Sequence, residues 1–142
     1  ESRKTYEYRF YCAKHPMPLA SRYATYTYYE PHVELMQNAA VFLIGEHDFR
    51  SFCSVHTQAE STVRTIYDIQ IEKVSSEVII RICGNGFLYN MVRIIAGTLL
   101  NVGIGKYEPE YVKSMLEATD RREAGPTAAP EGLCLCSVEI IK

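Results

Sequence analysis

Near the start of the chain Tyr6, Tyr8 and Phe10 alternate with Thr5, Glu7 and Arg9. That period predicts a strand with one aromatic and one polar face. The prolines of His15-Pro16-Met17-Pro18 lack a backbone donor and restrict the residues before them, so the strand ends there and a loop runs to about Tyr28. After Pro31, Val33, Met36, Ala40 and Leu43 recur at helical spacing, and Gly45 marks the end of that helix. Residues 46–62 carry no period. Val63, Thr65, Tyr67, Ile69 and Ile71 then alternate with polar residues as far as Glu72 and predict a long strand. Ser75-Ser76 separates it from the apolar run Val78 to Cys83, spaced for a hairpin but without the usual turn glycine. Leu88, Met91, Val92, Ile95, Leu99 and Val102 step by three and four, giving a helix with an apolar stripe that Asn85-Gly86 starts and Gly103 and Gly105 close. Pro109, at a first-turn position, opens a further helix to about Ala118. Gly125-Pro126 begins a loop of small residues, and Leu133 to Ile141 reads as the last strand. The order β-α-β-β-α-(α)-β defines an α+β fold, a mainly antiparallel sheet with helices on one face.

At 142 residues the chain is expected to form one domain, residues 1–142, with a real core. Its 47% hydrophobic and 23% charged residues exclude a wholly disordered or fibrous chain. The net charge of -2 means that a nucleic-acid surface here must be a local patch. The five cysteines (Cys12, Cys53, Cys83, Cys134, Cys136) show neither C-x-x-C nor zinc-ligand spacing, which fits a reduced, cytoplasmic protein. No apolar run approaches the ~18 residues of a membrane span, so no membrane partner is expected. The chain opens on Glu1-Ser2-Arg3 directly before a strand pattern, as a piece of a longer protein would.

Several residues have both a bland and a chemical reading. His47-Asp48 suggests a metal-dependent hydrolase, but further His and Asp ligands are not evident, and Asp48 is expected instead to hydrogen-bond free backbone donors at a helix-terminal loop. Cys53 and His56 lack a third group to make a reactive thiolate. Gly84-Asn85-Gly86 is too short to cradle a diphosphate. Arg93, on the most apolar helix, is either an arginine at the edge of the stripe with its head in water, or a charge held for a carboxylate or phosphate. Tyr6 is either core or a stacking platform for a base.

Taken together these residues resemble the TruA family of tRNA pseudouridine synthases, over essentially the whole chain. Lys4-Thr5-Tyr6-Glu7-Tyr8 matches its basic-x-Tyr-x-Tyr strand, and Gly45 to Phe52 resembles its G-x-x-D-F-x-x-F segment. Phe87-Leu88-Tyr89-Asn90-Met91-Val92-Arg93 with Gly97 is similar to its F-x-x-x-M-V-R-x-x-x-G helix, and the small-residue loop Ala124 to Ala129 leads to its E-G-L at Glu131-Gly132-Leu133. The resemblance implies the C-terminal half of an enzyme that isomerises uridine to pseudouridine in the anticodon stem-loop of tRNA, as a homodimer, without metal or organic cofactor. It implies a catalytic aspartate in a G-R-T-D-x-G motif of the N-terminal half, and that motif does not occur in this sequence. Carried over residue by residue, it makes Tyr6 the ring stacked on the flipped base, Arg93 the partner of that aspartate, and Leu133 apolar packing. Arg93 is therefore expected to be unpaired, or paired otherwise, beside an open cleft. Cys134, where the family often has an aromatic, is expected in the core. Phosphate contacts are expected from Arg50, Arg64, Arg121 and Arg122, or from elsewhere in the protein. The alternative is a non-catalytic RNA-binding module with the same order of elements.

Overall fold

Alternation makes the first eleven-residue segment, Ser2–Cys12, a strand, β1, and both of its edges are bonded. In the computed structural model, which describes residues 2–55 and 58–140, one edge pairs antiparallel with β5 (Glu77–Gly84), from Lys4 opposite Gly84 to Tyr11 opposite Glu77. The other edge is shared. β6 (Leu133–Ile140) runs antiparallel along Ser2 to Tyr8, and β2 (Thr25–Thr27) runs parallel along Phe10 to Cys12. Beyond β5 lies β4 (Val63–Val74), and β3 (Gly45–Asp48) pairs with the first four residues of β4. The sheet order is β2-β1-β5-β4-β3, with β6 beside β1. Three helices accompany it: α1 (Val33–Ala40), α2 (Met91–Gly103) and α3 (Tyr111–Ala118).

The fold is thus α+β on a mainly antiparallel sheet. Tyr6, Tyr8 and Phe10 share the helix-covered face with Ile82, Ile80 and Val78 directly opposite. Tyr8, Phe10, Ile80 and Ile82 are essentially inaccessible to water, packed with Met36 of α1 and Ile95 and Leu99 of α2 in one cluster. Each such aliphatic side chain contributes on the order of 2 kcal/mol by leaving water. The 4→5 hairpin forms as its spacing predicts. Without glycine, Ser75 takes the left-handed conformation, at φ 58.

The structure corrects several expectations. Residues 25–27 and 45–48, expected as loops, are strands, because three or four residues cannot display a period and are fixed instead by the long strands they pair with. The first helix stops at Ala40, continues as a tight 3₁₀ turn over Val41–Leu43, and Gly45, at φ 108, turns the chain into β3. The second begins at Met91 rather than Leu88, since Asn90 is left-handed (φ 63) and cannot be helical. Pro109 sits in the turn before α3. The polar face of β1 is not all open: Glu7 is 7% exposed, and Tyr11 is buried in a second small cluster with Ala20 and Ala24. Cys134 is exposed, because the register sets it opposite Glu7 on the polar face of β1. Ile141, expected to end the last strand, lies outside the described residues, as does His56 and with it the Cys53–His56 reading. No helix among the described residues is long and apolar enough to cross a membrane.

Candidate active site

Helix α2 is buried nearly all round rather than along one stripe. One side faces the sheet; on another lies the small-residue loop 124–129, and α2 is shaped to receive it. A Cβ on Gly97 would stand 2.1 Å from Pro126 O, so only glycine lets the loop lie so close. Gly125 N donates to Thr98 Oγ1 at 3.0 Å, and Ala128 N donates to Arg93 O at 3.0 Å. The loop is therefore strapped to one face of α2 before it turns through Pro130–Gly132 into β6.

Arg93 lies at the open end of this strap, half-buried. Its Nε donates to Ala128 O at 2.8 Å and its Nη1 to Asn90 Oδ1 at 3.1 Å. Two fixed acceptors thus orient the planar guanidinium, and no carboxylate pairs with it among the described residues. Below it, the Tyr8 hydroxyl contacts Ala129 O and lies 2.6 Å from Thr25 Oγ1. Burial pushes the Tyr8 phenol up to about 12, against the opposing pull of its Thr25 hydrogen bond and of the Arg93 charge. Tyr8 thus stays a neutral donor at ordinary pH and ties the strap to β1.

Tyr6, Arg93 and Leu133 line one open cleft of ≈ 430 Å³, with Phe87, Tyr89, Asn90 and Pro130 around them. β1 places Tyr6, whose ring meets the edge of Phe87 at 90° with centroids 5.2 Å apart. α2 places Arg93, and the start of β6 places Leu133, opposite Tyr8 in the register. An aromatic face, an apolar wall and an oriented cation suit a flat, polar-edged ring with an anion beside it.

The four arginines expected to meet phosphate are not equivalent. Arg50 and Arg121 line a second, smaller notch. Arg122 is paired with Asp120, at 2.8 Å. Arg64 gives its Nη1 to Ser61 O and Val63 O, at 2.9 and 2.7 Å. Asp48 accepts from Arg50 N at 3.1 Å and from Thr62 Oγ1 at 2.5 Å, so it does cap a backbone donor, but from the end of β3 rather than a helix-terminal loop. His47 Nε2 lies 2.9 Å from Ile44 O, and no group of three metal-ligating side chains occurs among the described residues. Asn85 is tied to Thr65 through both its backbone N–H and its side-chain oxygen, so the Gly84–Gly86 turn closes on β4.

Sequence reasoning missed Asn90 and Tyr8 as supports of the cleft. Asn90 carried a signal, an asparagine immediately before a helix, where left-handed backbone is tolerated. Tyr8 carried its place in the basic-x-Tyr-x-Tyr strand, which gave it no role as a tie to the strap.

A strand, a helix and a glycine-dependent strap thus bring an aromatic ring, an oriented arginine and an apolar side chain to one cleft of an α+β domain. Residues 39–139 match the family model described as tRNA pseudouridine synthase. The chain is 51% identical over 136 residues to tRNA pseudouridine synthase A of Bacillus subtilis, covering 96% of this chain and 55% of that protein. It is 50% identical over 135 residues to that of Bacillus velezensis (95% and 55%), and 47% over 134 residues to that of Brevibacillus brevis (93% and 55%). The chain belongs to the tRNA pseudouridine synthase family, and it spans about 55% of the length of these relatives.

Proposed function

We propose that residues 1–142 act as one domain, the C-terminal part of an enzyme that isomerises uridine to pseudouridine in the anticodon stem-loop of tRNA. In this reading the chain supplies one wall of the uridine pocket. Tyr6 gives the flipped base a ring to replace its lost stacking, Leu133 excludes water, and Arg93 orients and keeps ionised a catalytic aspartate supplied from outside this chain. The observation that carries the reading is the convergence of Tyr6, Arg93 and Leu133 on one cleft, with the Arg93 guanidinium fixed by Ala128 and Asn90 yet lacking a carboxylate among the described residues. A homodimer in a reduced, cytoplasmic setting, working without metal or organic cofactor, belongs to the same reading.

Its test is the full-length protein with Arg93→Ala. Loss of a charged group that acts on the reacting carboxylate should lower kcat by about 10²–10³ while tRNA affinity stays within a fewfold. Equal losses in both would make Arg93 a phosphate contact instead. Residues 1–142 alone should form no pseudouridine in unmodified tRNA. Turnover by this piece would overturn the assignment, and tight, Tyr6-dependent RNA binding with no turnover by the full-length protein would make it a binding module.

A further inference from the structure

The notch beside the cleft, ≈ 230 Å³, is lined by Arg50, Cys53, Ser54, Val55, Thr119, Asp120 and Arg121. The Arg50 guanidinium makes no hydrogen bond or ion pair among the described residues, and Arg121 uses one nitrogen on Thr127 Oγ1, at 3.2 Å. The carboxylate in the wall, Asp120, is already satisfied. It accepts from Arg122 Nε, Nη2 and backbone N at 3.2, 2.8 and 3.0 Å, and its hydrogen bonds from Arg122 hold it down at about 2. Two guanidiniums with unused donors thus face a notch whose acid is neutralised by a third. Burial raises the Cys53 thiol, with Arg50 and Arg121 opposing, so the thiol stays neutral and takes no charge from the site.

Two links join the notch to the cleft. Ser54 N, in the notch, donates to Tyr89 O, in the cleft, at 3.1 Å. Thr127, held by Arg121, directly precedes Ala128, held by Arg93. We propose that Arg50 and Arg121 form a phosphate subsite for the RNA strand, taking a backbone phosphate that adjoins the nucleotide whose base enters the Tyr6–Arg93 cleft. A planar fork suits phosphate oxygens, and an acidic chain needs such a local cation pair to hold RNA. Arg64 and Arg122 stay outside the subsite, because neither lines the notch and Arg122 spends its Nε and Nη2 on Asp120. This inference rests on the uridine reading above.

The experiment is a salt titration of the full-length protein binding an RNA hairpin with a tRNA anticodon-arm sequence. Arg50→Gln and Arg121→Gln should each weaken binding roughly tenfold and reduce the slope of log affinity against log salt by about one, and Arg122→Gln should change neither. Unchanged slopes in both Arg50→Gln and Arg121→Gln, with RNA still bound and modified, would overturn the subsite and leave the uridine reading standing. A second measurement follows the Arg Nε–H signals of the full-length protein as inorganic phosphate is added. Movement of the Arg50 and Arg121 signals in a protein that neither binds nor modifies the hairpin would overturn both the uridine reading and the RNA assignment, making the notch an anion site for another phosphate, such as a phosphopeptide.

Discussion

Asn90 does two things at once: its backbone turns left-handed to start α2, and its side-chain oxygen fixes Arg93. The two roles separate by substitution. Asn90→Ala should lose about 1 kcal/mol of stability, because alanine resists φ 63, while Asn90→Gly, which adopts it freely, should unfold within a few tenths of wild type. Urea titration of both variants measures this, and equal losses would assign the cost to the lost hydrogen bond instead. Glu7 is a second residue whose surroundings set its behaviour. Its carboxylate is bridged by Arg81 (Nε at 3.0 Å) and Arg9 (3.2 Å), and the Arg81 hydrogen bond holds it below its ordinary value of 4.5 against the cost of burial. A carboxyl lowered in the folded state binds its proton more readily when unfolded. Its contribution is therefore present above pH 4.5 and is lost as pH falls below that value. Glu7→Gln should cost about 1–2 kcal/mol at neutral pH, since Arg81 is largely exposed, and should flatten the loss of stability on acidification. An unaltered acid limb of the stability curve would show that other carboxylates dominate it.

Among the elements, the strap over α2 is the most exacting. Gly97→Ala places a methyl against Pro126 O, so the loop must lift and its bonds to Arg93 and Thr98 must lengthen. A loss of about 1–3 kcal/mol is expected, with faster amide exchange at Gly125 and Ala128 than elsewhere in the core; exchange unchanged at those two amides would refute the close approach. The strap also shows where sequence reading works and where it stops. β1, β4 and the bodies of α1 and α2 announced themselves because each is long enough to repeat its period, whereas β5 was legible as an apolar run after a turn and α3 through Pro109, read as a first-turn position. β2 and β3 are too short to do so, and exist through ladder bonds with β1 and β4. The convergence of Tyr6, Arg93 and Leu133 was legible as motif, since the resemblance assigned all three to one pocket. The devices that hold Arg93 were not, because Ala128 acts through its carbonyl, which no side chain advertises, and Asn90 through a backbone angle.

For the molecule as a whole, one hydrophobic cluster joins the sheet to all three helices. Unfolding of residues 1–142 should therefore follow one cooperative transition, the same by far-ultraviolet circular dichroism and by fluorescence of the eleven tyrosines, which no tryptophan masks. Two separated transitions would mean that the helices and sheet do not form one unit. The register of β1 adds a constraint in time. Ser2 stands opposite Ile140 and Tyr8 opposite Leu133, so the outer edge of β1 waits for the last strand of the fold. On the ribosome, β1, β4, β5 and the helices are all made before β6 emerges, and through that interval Tyr6 belongs to an unfinished sheet edge. A nascent chain halted ahead of residue 133 holds the arginine side of the cleft without its apolar wall. Loop closure across nearly the whole sequence makes the docking of β6 a late and slow step, and the cleft of Tyr6, Arg93 and Leu133 is complete only after it.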